Sequence, residues 1–342
     1  MPVLAPAALT EFAAALFEKA GTSAEHAAAI AEVLVWASVR GVDSHGVSRV
    51  PRYLELLASG EANPQPNIEI HNARPAVAVV DADRAPGPVA LRKAADLAVN
   101  LATACGVGTV GVRRTVHTGA IGYYTRRIAD AGMVGIAFVA GMPTMGYTGV
   151  QGAAVATSPL SIAVPGDQRM PVLLDMATAT IALGKIAQHR NSGTPLPDGA
   201  AATADGTPTT DPALATMPLP LGGAKGSGMS LAFELITSVL VGAPILADYH
   251  SGADRKHRQN ALLVAMDPAA FGNASFTSQV DDTVSALKTL PTAEGVDEVL
   301  VPGERSAAVA ARRLDEGVPV TAKIWARLTE AAEAHGVPLP SQ

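Results

Sequence analysis

Helical and extended patterns alternate through most of the chain, and this alternation limits the possible folds more than any other feature. Short runs rich in β-branched residues are separated by segments whose apolar residues have helical spacing. The runs lie at residues 76–80, 134–139, 161–164, 172–174 and 261–266. Such alternation is typical of proteins in which helices cover a sheet. We predict a mixed α/β unit at residues 76–285, between an N-terminal helical segment, 1–75, and C-terminal helices, 286–342.

One glycine-rich motif in this region has the spacing of the dinucleotide fingerprint GxGxxG. It runs from Gly106 to Gly111. In the classical fingerprint a strand precedes the glycines and a helix follows, so that the helix N-terminus meets the pyrophosphate. Here helix-forming residues 91–104 come first and β-branched residues follow. We predict that these glycines end a helix and open a strand, so the fold is not the classical Rossmann fold.

The composition argues against several classes of protein. The chain has 342 residues, of which 48% are hydrophobic, enough to bury a large core. Its net charge of -6 and its 4% aromatic content do not favour nucleic-acid binding, which needs basic stripes and stacking side chains. The densest basic run, residues 255–258, has the composition of a solvated loop. A small anionic ligand would therefore need a local basic pocket.

Cysteine content and hydropathy predict a cytoplasmic protein. Cys105 is the only cysteine, which excludes an intramolecular disulfide and fits a reducing compartment. The first residues lack the basic segment of a signal peptide. No uncharged run approaches the roughly 20 apolar residues of a membrane span. We expect neither a membrane nor a nucleic-acid partner.

Three helices are predicted in the first sixty residues. The second begins at a capping-box pattern, residues 22–25, and ends at Gly41. Ser44 is the expected N-cap of the third, which ends at Gly60. His45 and Arg49 then lie four residues apart on one helix face.

The pair His45 and Arg49 has the chemistry needed to reduce a 2-oxo acid. That reaction needs a proton donor at the carbonyl oxygen and a planar cation for the carboxylate. The same residues also fit an ordinary helix cap followed by surface side chains. The pattern alone leaves both interpretations open.

Three further features are candidate site elements. His117 follows a strand and precedes a helix, and Asp175 ends an apolar run, although each also fits a simple helix start. The glycines at residues 222–228 surround Lys225 at a helix N-terminus and can hold phosphate, but the Walker A spacing is absent. The long polar loop 191–223 is expected to be functional. No histidine spacing indicates a metal site.

Taken together, these segments resemble the malate/L-lactate dehydrogenase family, which is unrelated to the Rossmann dehydrogenases. The family includes sulfolactate, ureidoglycolate and diketogulonate oxidoreductases and reductases of Δ1-piperidine-2-carboxylate and Δ1-pyrroline-2-carboxylate. The resemblance covers nearly the whole chain. Five segments in order carry it, at residues 41–46 with Arg49 and Tyr53, then 117–120, 175–178, 220–226 and 301–304.

The resemblance implies a homodimeric oxidoreductase that uses NADPH or NADH on a small carboxylate substrate. Its NAD(P)-binding domain would be built on a mixed sheet and inserted into a helical domain formed by the two terminal segments. His45 would be the acid/base, oriented by Ser44 and Asp175. Arg49 would hold the substrate carboxylate, and His117 would line the pocket and act as the base in some relatives.

The cofactor contacts are likewise implied by the resemblance. They would come from His45, Met176, Ala177, Thr178, Ala179, Thr180, Ala224, Lys225, Gly303 and Glu304. Two motifs depart from many relatives, which carry Ser-Asn before the histidine at 117 and Gly-Thr-Asn-Pro at residues 156–159. The resemblance implies that both segments, Thr157 included, border the substrate or the nicotinamide, so a cyclic 2-imino acid stays open as the substrate. A non-catalytic ligand-binding protein on the same fold is the distant alternative.

Overall fold

The computed structural model describes residues 2–340. Its helices differ widely in length. They are α1 (Pro6–Lys19), α2 (Ala24–Val39), α3 (Val50–Ala58), α4 (Gly87–Cys105), α5 (Gly122–Asp130), α6 (Leu183–Ser192), α7 (Ala224–Glu234), α8 (Leu246–Ser251), α9 (Phe276–Lys288), α10 (Glu304–Glu316) and α11 (Ala322–His335). A π-helical turn, Leu235–Val239, continues α7.

The strands form one large sheet and three small ones. They are β1 (Val3–Leu4), β2 (Glu69–Arg74), β3 (Val77–Asp81), β4 (Val107–Thr115), β5 (Val134–Gly141), β6 (Met145–Gly146), β7 (Ala153–Val155), β8 (Leu160–Val164), β9 (Val172–Met176), β10 (Ala201–Ala202), β11 (Pro208–Thr209), β12 (Met217–Pro218), β13 (Gln259–Met266) and β14 (Val318–Pro319). The large sheet has the order β2-β3-β4-β13-β5-β8-β9.

The large sheet is mixed, as the sequence predicts. Strands β3 and β4 are parallel, and the other neighbours are antiparallel. A parallel pair needs a crossover, and α4 supplies it. Helices α4 and α5 pack against the sheet and against each other, while α7 and the π-helical turn also contact its strands. The fold is therefore α/β without the classical nucleotide-binding crossover, and the prediction is confirmed.

The GxGxxG glycines have packing roles. Gly106 ends α4 in the left-handed conformation, at φ 82°. A Cβ on Gly108 would lie 2.0 Å from the carbonyl oxygen of Ala98 in α4, and one on Gly111 would lie 2.5 Å from Val241. Glycine at these positions lets a helix and the chain after the π-helical turn approach β4 closely. This agrees with the rejection of a phosphate-binding loop.

The two ends of the chain pack together. Strand β1 pairs with β14, and α11 contacts α1 and α3. Leu4 of β1 is fully buried, which stabilises the fold by about 2 kcal/mol. A single hydrophobic core includes residues from these segments and from the large sheet. The domain boundaries at 75 and 285 stay predictions. Strand β2, before residue 75, already belongs to the large sheet, and α9 spans residue 285.

The predicted start of the third helix is wrong. Two 3-10 turns, Asp43–His45 and Val47–Arg49, come first, and α3 begins only at Val50. Pro51 explains the difference, because it has no N–H to continue a helix from upstream but fits the first helical turn. His45 and Arg49 therefore do not share a helix face.

Other local expectations also need correction. The N-cap of α2 is Ser23, which accepts from the amide of His26, so the box pattern at 22–25 does not form. Asp175 lies within β9 and starts no helix. The predicted loop 191–223 contains a three-stranded sheet, β11-β10-β12, with its own small apolar core. No helix in the described part of the chain is long and apolar enough to cross a membrane.

Candidate active site

A cleft of about 600 Å³ lies where the N-terminal turn, the β4–α5 junction, β9 and the start of α10 meet. Among the described residues, its walls carry several basic side chains and one carboxylate, that of Asp175. The basic residues are Arg40, Arg49, Arg305, His45, His117 and His257. The acidic chain thus contains the local basic pocket that a small anion requires.

The backbone that presents His45 is fixed by a close approach to α2. The hydroxyl of Ser38 accepts from the amide of Val47 at 2.9 Å. A Cβ on Gly46 would lie 2.1 Å from that same hydroxyl, so only glycine fits there. The turn is therefore held against α2.

Ser44, His45 and Arg49 contact one another within this turn. The hydroxyl of Ser44 lies 3.0 Å from Nδ1 of His45. Nε of Arg49 donates to the carbonyl oxygen of Ser44 at 2.6 Å. This bond fixes the guanidinium plane, and both Nη groups of Arg49 find no acceptor among residues 2–340. They are available to a ligand carboxylate.

His117 is held by two neighbours. The amide of Gly119 donates to its Nδ1 at 3.2 Å, and the hydroxyl of Tyr53 lies 3.0 Å from the same nitrogen. Because Nδ1 accepts the amide proton, the neutral ring carries its own proton on Nε2. Tyr53 is 1% exposed, and it also donates to the carbonyl oxygen of His117 at 2.7 Å.

The two histidines lie side by side in the cleft. Their ring centroids are 5.7 Å apart and their planes differ by 22°. Burial, and secondarily Arg49, lower the pKa of His45 to about 4. Burial, followed by Arg49 and His45, holds the pKa of His117 well below its ordinary value. Both rings are therefore neutral near pH 7.

Asp175 lies in the same cleft but contacts neither histidine in the described structure. Its carboxylate accepts from the amide of Gly122 at 2.8 Å. The side chain is accessible from the cleft, yet the protein around it displaces enough water to raise its pKa to about 6, against the opposing effects of Gly122 and Arg40. An orienting role toward His45 stays a prediction.

A family model described as malate/L-lactate dehydrogenase matches residues 4–329. The chain belongs to this family. The family predicted from the sequence is thus confirmed, and the enzyme is an oxidoreductase.

Individual relatives match along nearly the whole length of the enzyme. L-sulfolactate dehydrogenase of Methanocaldococcus jannaschii is 36% identical over 327 residues, 94% of each chain. Ureidoglycolate dehydrogenase (NAD(+)) of Escherichia coli O157:H7 is 33% identical over 318 residues, 92% of this chain and 91% of the relative. The solved delta1-piperideine-2-carboxylate reductase from Pseudomonas syringae has a TM-score of 0.86 and 28% identity, covering 97% of this chain and 100% of the other.

The predicted cofactor segments of the enzyme come together only in part. Of the predicted cofactor residues, Met176, Ala177 and Gly303 line the cleft, as does Thr157, which was predicted to bind substrate. The chain then turns away from it, because Thr178 and Thr180 form backbone bonds with the segment 219–221. That pairing places Ala224 and Lys225 at an exposed helix start outside the cleft walls.

Glu304 is engaged elsewhere. Its carboxylate lies 2.6 Å from Nζ of Lys288 and accepts from the amide of Val301. It lines a separate pocket of about 220 Å³ beside Arg169 and Asp281. Contact of Glu304 with the cofactor stays a prediction.

Arg40 and His257 are cleft residues that sequence reasoning missed. Arg40 looked like the end of a helix, and no local pattern distinguishes it. The basic run 255–258, predicted to be solvated, is solvated only in part, since Arg255 and Lys256 are exposed. His257 lines the cleft, and Arg258 is largely buried between Asp248 and Asp254. The contacts of His257 and Arg258 depend on the fold, because the amide of His257 donates to Glu61 and Arg258 pairs with Asp248.

The buried histidines make stability depend on pH. Burial lowers the pKa of His26, His45, His117 and His257 in the folded state. Unfolded histidines bind protons below about pH 6.5, so acid favours the unfolded state, by about 2 kcal/mol for His45 alone at about pH 5. Asp175, whose pKa is raised to about 6, opposes this by favouring the folded state as the pH falls.

We therefore expect Tm to decrease between about pH 7.5 and about pH 5, because four histidines outweigh one carboxylate. Thermal denaturation followed by circular dichroism measures it. The variant His45→Gln should show a shallower decrease than the natural enzyme. A Tm that rises toward pH 5 would contradict the burial of these rings.

Proposed function

We propose that the enzyme transfers a hydride between NADH or NADPH and a small 2-oxo or 2-hydroxy acid. One observation carries this proposal: His45 lies beside Arg49, and the two Nη groups of Arg49 have no acceptor among residues 2–340. The relatives named as sulfolactate and ureidoglycolate dehydrogenases support the hydroxy-acid chemistry. One of them carries NAD(+) in its name, which supports a nicotinamide cofactor.

Arg49 binds the substrate carboxylate in this proposal. Its Nε stays on the carbonyl oxygen of Ser44, and its two Nη groups make the paired contacts with the carboxylate. The positive charge of Arg49 is one cause of the low pKa of His45. The bound carboxylate compensates that charge. Substrate binding therefore raises the affinity of His45 for a proton.

His45 exchanges the proton, and His117 donates a hydrogen bond. The hydroxyl of Ser44 can either donate to Nδ1 of His45 or accept from it, so it suits both protonation states of that ring. The amide of Gly119, in contrast, opposes a second proton on His117. His45 gives its proton to the substrate oxygen during reduction and takes it back during oxidation. His117 polarises that oxygen through its Nε2 proton.

The cofactor supplies or accepts the hydride when it is bound, and the cleft has features that fit it. The buried guanidinium of Arg40, which forms no ion pair in the described structure, donates to Gly303 and Ser306 at the N-terminus of α10. Met176, Ala177 and Gly303 line the wall between that point and His45. Such a cationic, partly backbone-lined cleft suits a dinucleotide.

A cyclic 2-imino acid is the second candidate substrate. The similarity to the solved delta1-piperideine-2-carboxylate reductase supports it. Of the two positions where the resemblance implies asparagine in many relatives, Ser158 lines the cleft, and Val116 is buried outside its walls. The same cation and proton donor serve a C=N bond as well as a C=O bond.

Oxidation of NADH or NADPH by the purified enzyme tests these proposals. The panel contains pyruvate, oxaloacetate, 3-sulfopyruvate and Δ1-piperidine-2-carboxylate, and the signal is the loss of reduced-nicotinamide absorbance. A higher rate with any oxo acid than with the imine supports the first proposal. A higher rate with the imine supports the second. Cofactor binding without turnover of any member would contradict both.

We also propose that the enzyme is a homodimer. Helix α7 and its π-helical extension carry an uncharged apolar face that the chain leaves exposed. Leu231, Leu235, Ile236, Val239 and Leu240 form it, and Leu240 is 66% exposed. An apolar face of this kind is self-complementary across a twofold axis, so a second copy covers it.

The variant Leu235→Glu tests the dimer. A charge buried without a partner costs several kcal/mol, so self-association should weaken by roughly a hundredfold or more. Light scattering after size exclusion measures the mass. Leu314→Glu, at a 63% exposed site on α10, is the matched control and should stay dimeric. A monomeric natural enzyme would rule out the homodimer.

A further inference from the structure

The turn that carries His45 has little stability of its own. It is a single 3-10 turn, Asp43–His45. The amide of His45 donates to the carbonyl oxygen of Val42 at 2.9 Å, and the amide of Gly46 donates to that of Asp43 at 3.3 Å. A turn this short is not stable in isolation, because it forms too few hydrogen bonds for the residues that it orders. The position of the His45 ring therefore depends on contacts between this turn and the rest of the protein.

One such contact comes from the C-terminal part of the chain. Arg313 of α10 binds the carboxylate of Asp43 with both Nη groups, at 2.6 and 3.2 Å. Its Nη1 also donates to the carbonyl oxygen of Ser38 in α2. The hydroxyl of Ser38, in turn, accepts from the amide of Val47. Arg313 and Ser38 together thus hold the chain on both sides of His45.

The pair of Arg313 and Asp43 specifies geometry more than it stabilises the fold. The side chain of Arg313 is 12% exposed, whereas that of Asp43 is 47% exposed. Ion pairs with an exposed member contribute little to folding. A guanidinium that makes two parallel contacts, in contrast, fixes the plane and direction of the carboxylate. The main consequence of this pair is therefore the orientation of the turn.

Helix α10 also packs against the segment that leads into the turn. Gly41 has φ 76°, and a Cβ there would lie 3.0 Å from Cγ1 of Val309. Val309 and Arg313 are four residues apart in α10, so they lie on one face of the helix. This face contacts the chain at residue 41 and again at residue 43. A shift of α10 would therefore move the turn with it.

We propose that Arg313 is a positioning residue for His45, which acts by holding Asp43 and the turn that presents the ring to the cleft. This inference rests on the proposed function, in which His45 exchanges the proton. Arg313 does not line the cleft, so it acts through the turn and not on the substrate. A displacement of about 1 Å of a reacting group can lower a rate a hundredfold.

Steady-state kinetics of Arg313→Gln and Asp43→Asn tests the positioning role. Each change should lower kcat roughly tenfold to a hundredfold. The double variant should lose no more than either single variant, because the two side chains act as one pair. Arg313→Lys should lose less than Arg313→Gln, since an ammonium group can still reach one oxygen of Asp43.

Arg312→Gln is the matched control. Arg312 is the preceding arginine of the same helix, its side chain is 61% exposed, and it lies 3.9 Å from Glu316 within α10. Its replacement removes the same charge without touching the turn, so kcat should equal that of the natural enzyme.

Titration of His45, followed by NMR of 15N-labelled histidine rings, tests the position of the ring independently of turnover. The signal of His45 is assigned by its absence in His45→Gln. A displaced ring is more exposed to water, so its pKa should rise from about 4 in both Arg313→Gln and Asp43→Asn. Loss of charge alone would shift the pKa in opposite directions, because one variant removes a positive charge and the other a negative one. Arg49 and His117, which lie beside the ring, stay in every variant.

The outcomes separate this inference from the proposed function. If the natural enzyme reduces a member of the panel while Arg313→Gln and Asp43→Asn keep its kcat and its His45 pKa, this inference is overturned alone, even where Tm decreases. Opposite pKa shifts in the two variants would overturn it as well. If the natural enzyme reduces no member of the panel, the proposed function is overturned, and the titration still decides whether Arg313 positions the ring.

Discussion

Replacing His45 with glutamine is expected to lower kcat by roughly two to four orders of magnitude, with a much smaller change in cofactor affinity. The reason is that His45 can bind and release a proton, whereas a glutamine side chain can form hydrogen bonds but cannot exchange a proton. Its neighbour Ser44, 3.0 Å away, accommodates both protonation states. Steady-state kinetics with the best substrate of the panel measures the effect.

The matched control is His117→Gln. His117 is a hydrogen-bond donor in the proposed mechanism, and glutamine retains a donor. The decrease of kcat should therefore stay near tenfold. A thousandfold decrease of kcat in His117→Gln, together with a near-normal kcat in His45→Gln, would show that His117 exchanges the proton instead of His45. Both variants should keep their fold, because neither side chain lies in the main apolar core.

Replacing Arg49 with lysine has the second large expected effect, a rise of roughly tenfold to a hundredfold in KM for the acid substrate. The guanidinium uses Nε to hold the carbonyl oxygen of Ser44 and has two Nη groups left for a carboxylate. The single ammonium group of lysine cannot make both contacts in one plane.

Arg52→Lys is the control for Arg49→Lys. Arg52 is exposed on α3 and pairs with Glu55, so this change should leave KM close to that of the natural enzyme. A normal KM in Arg49→Lys with a substrate that carries a carboxylate would remove Arg49 from the site. The KM for NADH or NADPH should change little in either variant.

The fold could be predicted largely from local patterns. The alternation of β-branched runs and helical segments predicts the strands of the large sheet except β2, and the order of helix and strand around Gly106 excludes the Rossmann fingerprint. These signals are local, because periodicity depends only on which face of an element is buried. The predicted start of α3 is wrong because Pro51, which fits the first turn of a helix, determines the start, and the capping residue Ser44 does not.

The site was predicted less completely, for a physical reason. His45, Arg49 and His117 stand in recognisable motifs. Arg40 gains its significance only when the fold brings α10 beside it, and His257 only when the fold brings it beside Glu61, in both cases at a separation of more than a hundred residues. A buried charge cannot be recognised from sequence when its burial depends on distant elements.

Label transfer from reduced nicotinamide that carries deuterium at both C4 positions tests the central claim most directly. The enzyme, the labelled cofactor and the best oxo acid of the panel are incubated together, and the product is analysed by proton NMR. We predict deuterium at C2 of the 2-hydroxy acid, in one configuration, because Arg49 and His45 fix one face of the carbonyl. Product formation without deuterium at C2, or oxidation of the cofactor without reduction of the acid, would contradict hydride transfer in this cleft.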